Sequence, residues 1–503
     1  MGITVKNLSV TGGDSKVVAD VLRSLNVTVS DAADFDALEI FNDIIGTRIT
    51  TRLKVTVAGE EIFLRKSSLA RPDERLGAEV NRLVKKNLYT LLVEGFGLDA
   101  VPYGILHGVR PTKIIQRWID GGFGVTSQGV IDRDKIARRV CSDFTTDRDK
   151  ADLLTEVAVR QLPIIRASDA HTVSVYVGIP FCRTRCLYCS FPSFVLPAEA
   201  KVAEFMQTLT RDITAAADAI NRFGLKVQTI YVGGGTPSAL PEKFFAEMLR
   251  IVHDSFNGSE VDEFTVECGR PDTITAEKIS AMKSFDVTRV SVNPQTMNQR
   301  TLDLIGRQHS VEDVARAFDE LRAAGDWLIN TDLIVGLPGE RLDDFRETLD
   351  KVLTLNPDDV TIHSLAIKRG SKLQMRLADD LNRLEDFNLP EDAEVRRMSE
   401  HASKILRGKN FLPYYLYRQG YMRGQIENVG WCRRGAAGIY NVQIMGERQT
   451  IIGVGAAAST KVPDPASKKI LTAFNAKDLP TYLRDIDKYI ARREKILAQN
   501  NFQ

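Results

Sequence analysis

The sequence predicts an α/β fold, a partial (β/α)6 barrel with an N-terminal α+β domain and a C-terminal α/β extension. Three observations carry that expectation. From residue 173 onward, short β-branched runs alternate with longer helical patterns, as strand–helix repeats with right-handed crossovers do. Chemically unusual residues recur where those runs end. The stretch before residue 173 follows a different pattern, with long alternating strands and no strand–helix repeat.

The bulk numbers set the frame. A chain of 503 residues has room for two or three domains. Its 43% hydrophobic and 26% charged residues are an ordinary globular mix. Lys plus Arg total 67 against 66 for Asp plus Glu, so no broad attraction to nucleic acid or to a membrane surface is expected. Six cysteines are too sparse for a disulfide framework. The opening "MGITVKNLSV" has neither the basic nor the apolar region of a signal peptide. Lys6 stands where a myristoylation site wants Ser or Thr. No apolar run is long enough to span a bilayer. A cytoplasmic, reduced protein is expected, with no nucleic-acid or membrane partner.

The elements follow in order. "TRITTRLKVTVAG" and "EIFLRKS" alternate as strands do, with Ala58 to Glu61 as the turn. "DERLGAEVNRLVKKNLYTLLVEGFG" has helical spacing and ends at glycines, and residues 131–165 are helical again. The polar link "RASDAHT" places a domain boundary near residue 168. Strands are expected at "VSVYVGI", "VQTIYVG", "VDEFTVE", "VTRVSVN", "INTDLIVG" and "VTIHSLAI", all read as apolar runs covered on both faces. These belong to a barrel domain over 169–375, followed by a substrate-side domain over 376–503. A doubly wound sheet satisfies the same repeat. The end-of-strand residues favour a barrel, where all strand C-termini open on one mouth. Cysteines follow strand one, "GGGTP" follows strand two, Glu267 ends strand three, Gln295 follows strand four, and Asp332 lies on strand five. His309 and His363 are expected at the same mouth.

Cys182, Cys186 and Cys189 form C-x3-C-x2-C in "YVGIPFCRTRCLYCSFPS". A zinc site would need a fourth ligand from elsewhere, and no second C-x2-C exists. Cys141, Cys268 and Cys432 stand alone. Thiolates suit iron–sulfur clusters, which normally take four cysteines. Three leave one iron of a [4Fe–4S] cluster open to bind a substrate or cofactor.

The cysteine spacing after the first strand, with an aromatic before the last cysteine, resembles the radical S-adenosylmethionine (SAM) superfamily. "YVGIPFC…CSF" is similar, more narrowly, to the oxygen-independent coproporphyrinogen III oxidase group. "GVRPTKI" (Gly108 to Ile114), "ECGRPD" and "ENVGW" resemble its HemZ-type coproporphyrinogen dehydrogenases over essentially the whole chain. The resemblance implies that the open iron binds SAM and that SAM is cleaved to methionine and a 5′-deoxyadenosyl radical. It implies SAM contacts at Tyr176, at Tyr188, and at Gly234, Gly235 and Thr236 of the glycine turn. It places Glu267 near the ribose or amino group, Gln295 and Arg307 at the family's Gln and Arg, Asp332 on the ribose hydroxyls, and Ala366 near the adenine.

The resemblance implies oxidative decarboxylation of two propionates, turning coproporphyrinogen III into protoporphyrinogen IX, with a donor such as flavodoxin or ferredoxin supplying electrons. Three positions depart from the better-known oxidase branch: Phe191 replaces a fourth cysteine, Gly178 a histidine, and Asn293-Pro294-Gln295 a Gly-Val-Gln. The rival readings are a haem chaperone sharing barrel and cluster, or another radical SAM reaction on a tetrapyrrole. In the chaperones a histidine suited to haem iron stands where this chain has Glu427. In "YYLYRQGYMRGQIENVGWCRRG", Tyr414, Tyr415, Tyr417, Tyr421 and Trp431 interleave with Arg418, Arg423, Arg433 and Arg434. Two readings stand open: a surface hairpin, or a grip on a flat anionic molecule.

Overall fold

The computed structural model describes residues 3–71, 76–368, 370–379, 387–420, 422–464 and 469–499. The chain divides into two compact units, Met1–Val159 and Arg160–Gln503. The division falls inside helix Arg148–Ala167, earlier than the expected residue 168. The last turns of that helix belong with the second unit because Ile165 packs against Tyr414, Tyr415 and Val442 there.

In the first unit, strands Ile3–Thr11, Val27–Val29 and Phe35–Ile45 run parallel, and Arg48–Val57 and Glu60–Leu69 complete the sheet antiparallel. The turn is shorter than expected: Val57 and Glu60 pair across it, leaving Ala58 and Gly59, both at positive φ (50° and 83°), as the two-residue hairpin that suits the strands' twist. Helices Ser15–Ser24 and Leu76–Phe96 cover one face and bury Val18, Val21, Leu88 and Leu92 against Ile40 and Leu53. Residues 73–75 of the expected helix lie outside the described residues. The helical stretch over 131–165 is two helices, Arg133–Phe144 and Arg148–Ala167.

In the second unit the six expected strands form and pair parallel in chain order: Thr172–Ile179, Lys226–Gly234, Glu263–Glu267, Arg289–Ser291, Leu328–Val335 and Asp359–Ser364. We call these the first to sixth barrel strands. They are not apolar on both faces. Val175, Val177, Ile230, Val232, Phe264, Val266, Val290, Ile329 and Ile362 are buried. The residues alternating with them are polar or aromatic: Tyr176, Tyr231, Glu267, Asn293, Asp332 and His363. In a strand successive side chains point to opposite faces. One face therefore packs the core, while the other carries the groups that line a cavity.

Residues 376–503 do not form a separate body. Strands Leu412–Tyr417 and Asn428–Cys432 extend the sheet antiparallel beyond the sixth strand. Thr450–Gly455 joins the other end as a seventh parallel strand beside the first, and Ser459–Pro463 and Ile470–Phe474 continue antiparallel. Helix Ile486–Ala498 then returns to the barrel. Its Arg493 is 1% exposed and meets Asp212 at 2.5 Å, and Tyr482 and the Gly455 N–H donate to the same carboxylate. Edge strands with unpaired backbone groups would otherwise have been left on the six-stranded sheet.

Candidate active site

Every residue named above as a cluster or SAM contact lines one cavity of about 570 Å³ at the C-terminal ends of the barrel strands. Cys182, Cys186 and Cys189 come from the loop after the first strand, all three as free thiols. The Cys189 N–H donates to the Cys186 carbonyl (3.2 Å), a tight turn that puts both thiols on one wall. The Thr236 hydroxyl donates to Cys182 Sγ at 3.6 Å. Burial pushes the Cys189 thiol above its ordinary pKa.

The glycine turn after the second strand is pressed against this loop. The Gly235 N–H donates to Ile179 O (2.8 Å) and the Thr236 N–H to Phe181 O (2.7 Å). A Cβ on Gly235 would lie 2.5 Å from Phe181 O, and Gly234 holds φ at 114°. Only glycine fits there. The third strand ends in Glu267, which accepts from Tyr231 Oη at 2.6 Å and from the Gly234 N–H at 3.2 Å. Burial raises its carboxyl to about 7, more than those hydrogen bonds and the nearby Asp332 alter it.

Asp332 sits on the fifth strand. Burial works to raise its pKa, but His363 with Nε2 at 3.7 Å, Asn330 and Thr361 together hold it below the usual carboxylate range. Gln295 adopts φ of 71° and exchanges backbone hydrogen bonds with the fifth strand at Asp332 O and the Ile334 N–H. Arg307 is 7% exposed and donates to the carbonyls of Gly269 (3.3 Å) and Asn293. Tyr188 lies beside it and the Cys186 thiol. Ala366 bridges to Met422 at the end of the sixth strand.

Some expectations are corrected. His363 lines the cavity, donating to or accepting from Tyr417 Oη at 3.3 Å, but His309 does not: it is fully buried outside the lining. Burial, with Arg307 and Arg270 nearby, lowers its pKa to about 3. The tail cluster is neither a surface hairpin nor an arginine grip. Tyr414, Tyr415 and Trp431 are buried, and of this cluster's described aromatics only Tyr415 and Tyr417 reach the cavity. Arg418, Arg423 and Arg433 are spent on backbone carbonyls of Gln425, Pro390 and Pro357, and Arg434 is exposed. Tyr421 lies outside the described residues.

Sequence reasoning missed Tyr231 and Tyr440. Tyr176, Tyr231 and Tyr440 stack in the cavity wall, Tyr231 and Tyr440 with centroids 4.4 Å apart. A signal for Tyr231 existed: "YVG" occurs in both the first and second strands, and Tyr176 pairs in register with Tyr231. The Gly178 departure has a steric cause. A Cβ there would lie 2.6 Å from Ala456 O, so a histidine cannot occupy that position beside the seventh strand. Phe191, at the fourth-cysteine position, is 64% exposed on the cavity rim.

The donor set fits an iron–sulfur cubane better than a single ion. Among the described residues no three His, Cys, Asp or Glu side chains close on one point. Thiolates of a cubane attach to different irons and stand apart around it. Buried nitrogens of Arg185, Arg270 and Arg307 have no protein partner in the cavity wall, which suits an anionic group beside the thiols. The three cysteines would hold the cluster, and the glycine turn, Glu267, Arg307 and Asp332 would surround a ligand on its open side. Among the described residues no helix is long and apolar enough to cross a membrane.

The radical SAM superfamily profile matches residues 176–352. The chain is 36% identical over 406 residues to the oxygen-independent coproporphyrinogen-III oxidase-like protein HemZ of Bacillus subtilis (strain 168), covering 79% of this chain and 77% of that protein. The haem chaperone HemW of the same organism is 32% identical over 196 residues, covering 39% of this chain and 51% of that protein. Among solved structures, coproporphyrinogen III oxidase (HemN) from Escherichia coli superimposes with a TM-score of 0.52 at 21% identity, over 65% of this chain and 72% of that one, a likeness of fold. The cysteine loop, the glycine turn and a relative matched along most of its length agree: the chain belongs to the radical SAM superfamily, in the group of oxygen-independent coproporphyrinogen-III oxidase-like proteins.

Proposed function

We propose that this protein carries out oxygen-independent oxidative decarboxylation of coproporphyrinogen III to protoporphyrinogen IX. The observation that carries the reading is one cavity that joins three thiols, a glycine turn and an aromatic wall, in a chain matched over most of its length by a coproporphyrinogen oxidase-like relative. When bound, a [4Fe–4S] cluster and SAM supply a hydrogen-abstracting carbon radical. Each of two propionates loses a β-hydrogen, carbon dioxide and one further electron, leaving a vinyl group.

The chain's own groups bind, orient and exclude water. Cys182, Cys186 and Cys189 fix the cluster to the barrel mouth. Arg307, already oriented by the Gly269 and Asn293 carbonyls, presents its guanidinium to a carboxylate. Asp332 stays ionised and is oriented by Asn330, ready to accept hydroxyl hydrogens. Tyr231, Tyr440 and Tyr415 supply flat apolar area for a macrocycle. Electrons would come from a donor of the flavodoxin or ferredoxin kind, in the cytoplasm.

A second reading, haem binding and delivery, is favoured by the chaperones among the relatives. Against it, Glu427 is 3% exposed and does not line the cavity, and a carboxylate is a poor axial haem ligand beside His, Cys, Met or Tyr. Anaerobic incubation with coproporphyrinogen III, SAM and a reductant separates them. Protoporphyrin, after oxidation, should accumulate together with 5′-deoxyadenosine. SAM cleavage without loss of carboxylate, with stoichiometric haem binding, would establish the chaperone reading.

A further inference from the structure

The cations lining the cavity differ in what already holds them. Arg185 donates to Gly370 O at 2.8 Å, Arg270 to Thr184 O at 3.0 Å, and Arg307 to Gly269 O at 3.3 Å. Their planes are fixed by backbone. Lys368 is different. It lines the same cavity just past Ala366, it is half-buried, and its Nζ makes no hydrogen bond or ion pair to any described residue. Burial pushes its ammonium's pKa down, with only the Cys189 thiol acting the other way.

A half-buried ammonium with no ion-pair partner among the described residues is costly unless something anionic completes it. We propose that Lys368 grips a propionate carboxylate of the substrate and so selects acidic tetrapyrroles. This rests on the reading that the cavity takes a tetrapyrrole. The neighbourhood suits such a ligand. Leu365, Ile444 and Met445 give apolar wall for the ring, and Tyr415 and Tyr417 lie stacked at 6.3 Å with planes 7° apart. Glu267 and Asp332, the acids among the described lining residues, are tied to Tyr231, Asn330 and His363, so neither serves Lys368. A lysine suits this task because its flexible stem lets one charge follow a mobile side chain, where a fixed guanidinium could not.

Two other anions compete for Lys368, the carboxylate of SAM and the cluster itself. The test therefore has three readouts, on full-length protein with reconstituted cluster, for wild type, Lys368→Met and Lys368→Arg. The first is fluorescence titration with coproporphyrin III and with its tetramethyl ester. The second is SAM binding by equilibrium dialysis. The third is the cluster's midpoint potential by electron paramagnetic resonance. Lys368→Met should bind coproporphyrin about tenfold or more weakly, the scale of a charge-assisted hydrogen bond. Lys368→Arg should recover most of the loss. The ester should bind wild type and Lys368→Met alike, and SAM affinity should not move. Unchanged coproporphyrin affinity in Lys368→Met overturns the inference, whether or not the potential shifts. A loss confined to SAM overturns it too and assigns Lys368 to the cofactor. If wild type binds neither porphyrin, the functional reading falls and the inference with it; if wild type binds and Lys368→Met matches it, the inference falls alone.

Discussion

Two sets of charges withdrawn from solvent stand at opposite ends of the barrel. At the N-terminal ends, Arg289 meets Asp359 at 3.2 Å and Glu263 at 3.5 Å, and donates to Ala436 O at 2.7 Å. Tyr414 donates to Asp359 at 2.6 Å, and Glu263 accepts the backbone N–H groups of Ile439 and Tyr440. At the C-terminal ends, Glu267 and Asp332 have neutral partners or a distant imidazole, and Arg307 donates to carbonyls with Tyr188 and the Cys186 thiol beside it. The residue types are alike, but Glu267 and Asp332 are only partly buried where Glu263, Arg289 and Asp359 are buried. The lower set is closed on itself and knits the tail to the strands. The upper set faces open space with its charges unmatched, and a ligand must complete it. Arg289 and Arg307 are buried alike, so burial does not tell a structural cation from a functional one; the charge of its partners does.

The sharpest break of this comparison comes from the thiols. Cys186→Ala should abolish the cluster altogether, read by iron content and electron paramagnetic resonance, while Cys141→Ala and Cys432→Ala keep it. Cys268→Ala should keep it as well, since Cys268 is fully buried and its thiol lies 3.8 Å from Met282 Sδ. Next comes the lower set. Arg289→Met leaves two buried carboxylates without their cation and should cost about 3–5 kcal/mol of stability, seen as a drop in the urea midpoint. Asp332→Ala and Arg307→Ala should instead leave the cluster in place and weaken SAM about tenfold to a hundredfold, from roughly 1.5–3 kcal/mol per charge-assisted bond. Equal loss of stability from Arg289→Met and Asp332→Ala would erase the distinction between the two ends.

The subtlest effect is a pH dependence. Glu267 titrates at about 7 in the folded chain against an ordinary 4.5, because burial disfavours its charge; Tyr231, Asp332 and the Gly234 N–H are the groups that face it. A raised carboxyl pKa stabilises the fold fully below 4.5, and that contribution is lost as pH climbs through 7. Glu267→Gln should therefore match wild type at pH 4 and exceed it above pH 7 by about 3 kcal/mol in the cofactor-free protein. An identical stability difference at both pH values would show that Glu267 is not held neutral by its surroundings.

The six strands were legible because β-branched runs ended at residues too costly or too peculiar for ordinary loops, such as Cys182, Gly234 and Asp332. Their alternation was not. "VDEFTVE" and "VTRVSVN" carry polar residues at every second position, but the apolar half dominates a short run and hides the polar face. His309 was expected at the mouth beside His363, yet it turns inward near Arg307 and Arg270, which only packing decides. The tail's arginines looked like a patch because sequence shows charge and not the carbonyls that absorb it. The strand Thr450–Gly455 escaped notice because nothing in "TIIGVG" says that its partner lies more than two hundred residues earlier.

That seventh strand orders events during synthesis. The segment bearing Cys182, Cys186 and Cys189 follows a strand whose outer edge stays unpaired until Gly455 has been made, roughly 270 residues later on a ribosome that adds about 5–20 per second. For tens of seconds the thiols belong to an incomplete sheet, and loop closure over that separation comes late in folding. A chain cut short before residue 450 would carry all three of these cysteines and still lack the strand that braces the first barrel strand. The strand leading into the cysteine loop therefore gains its second neighbouring strand only once Gly455 has been made.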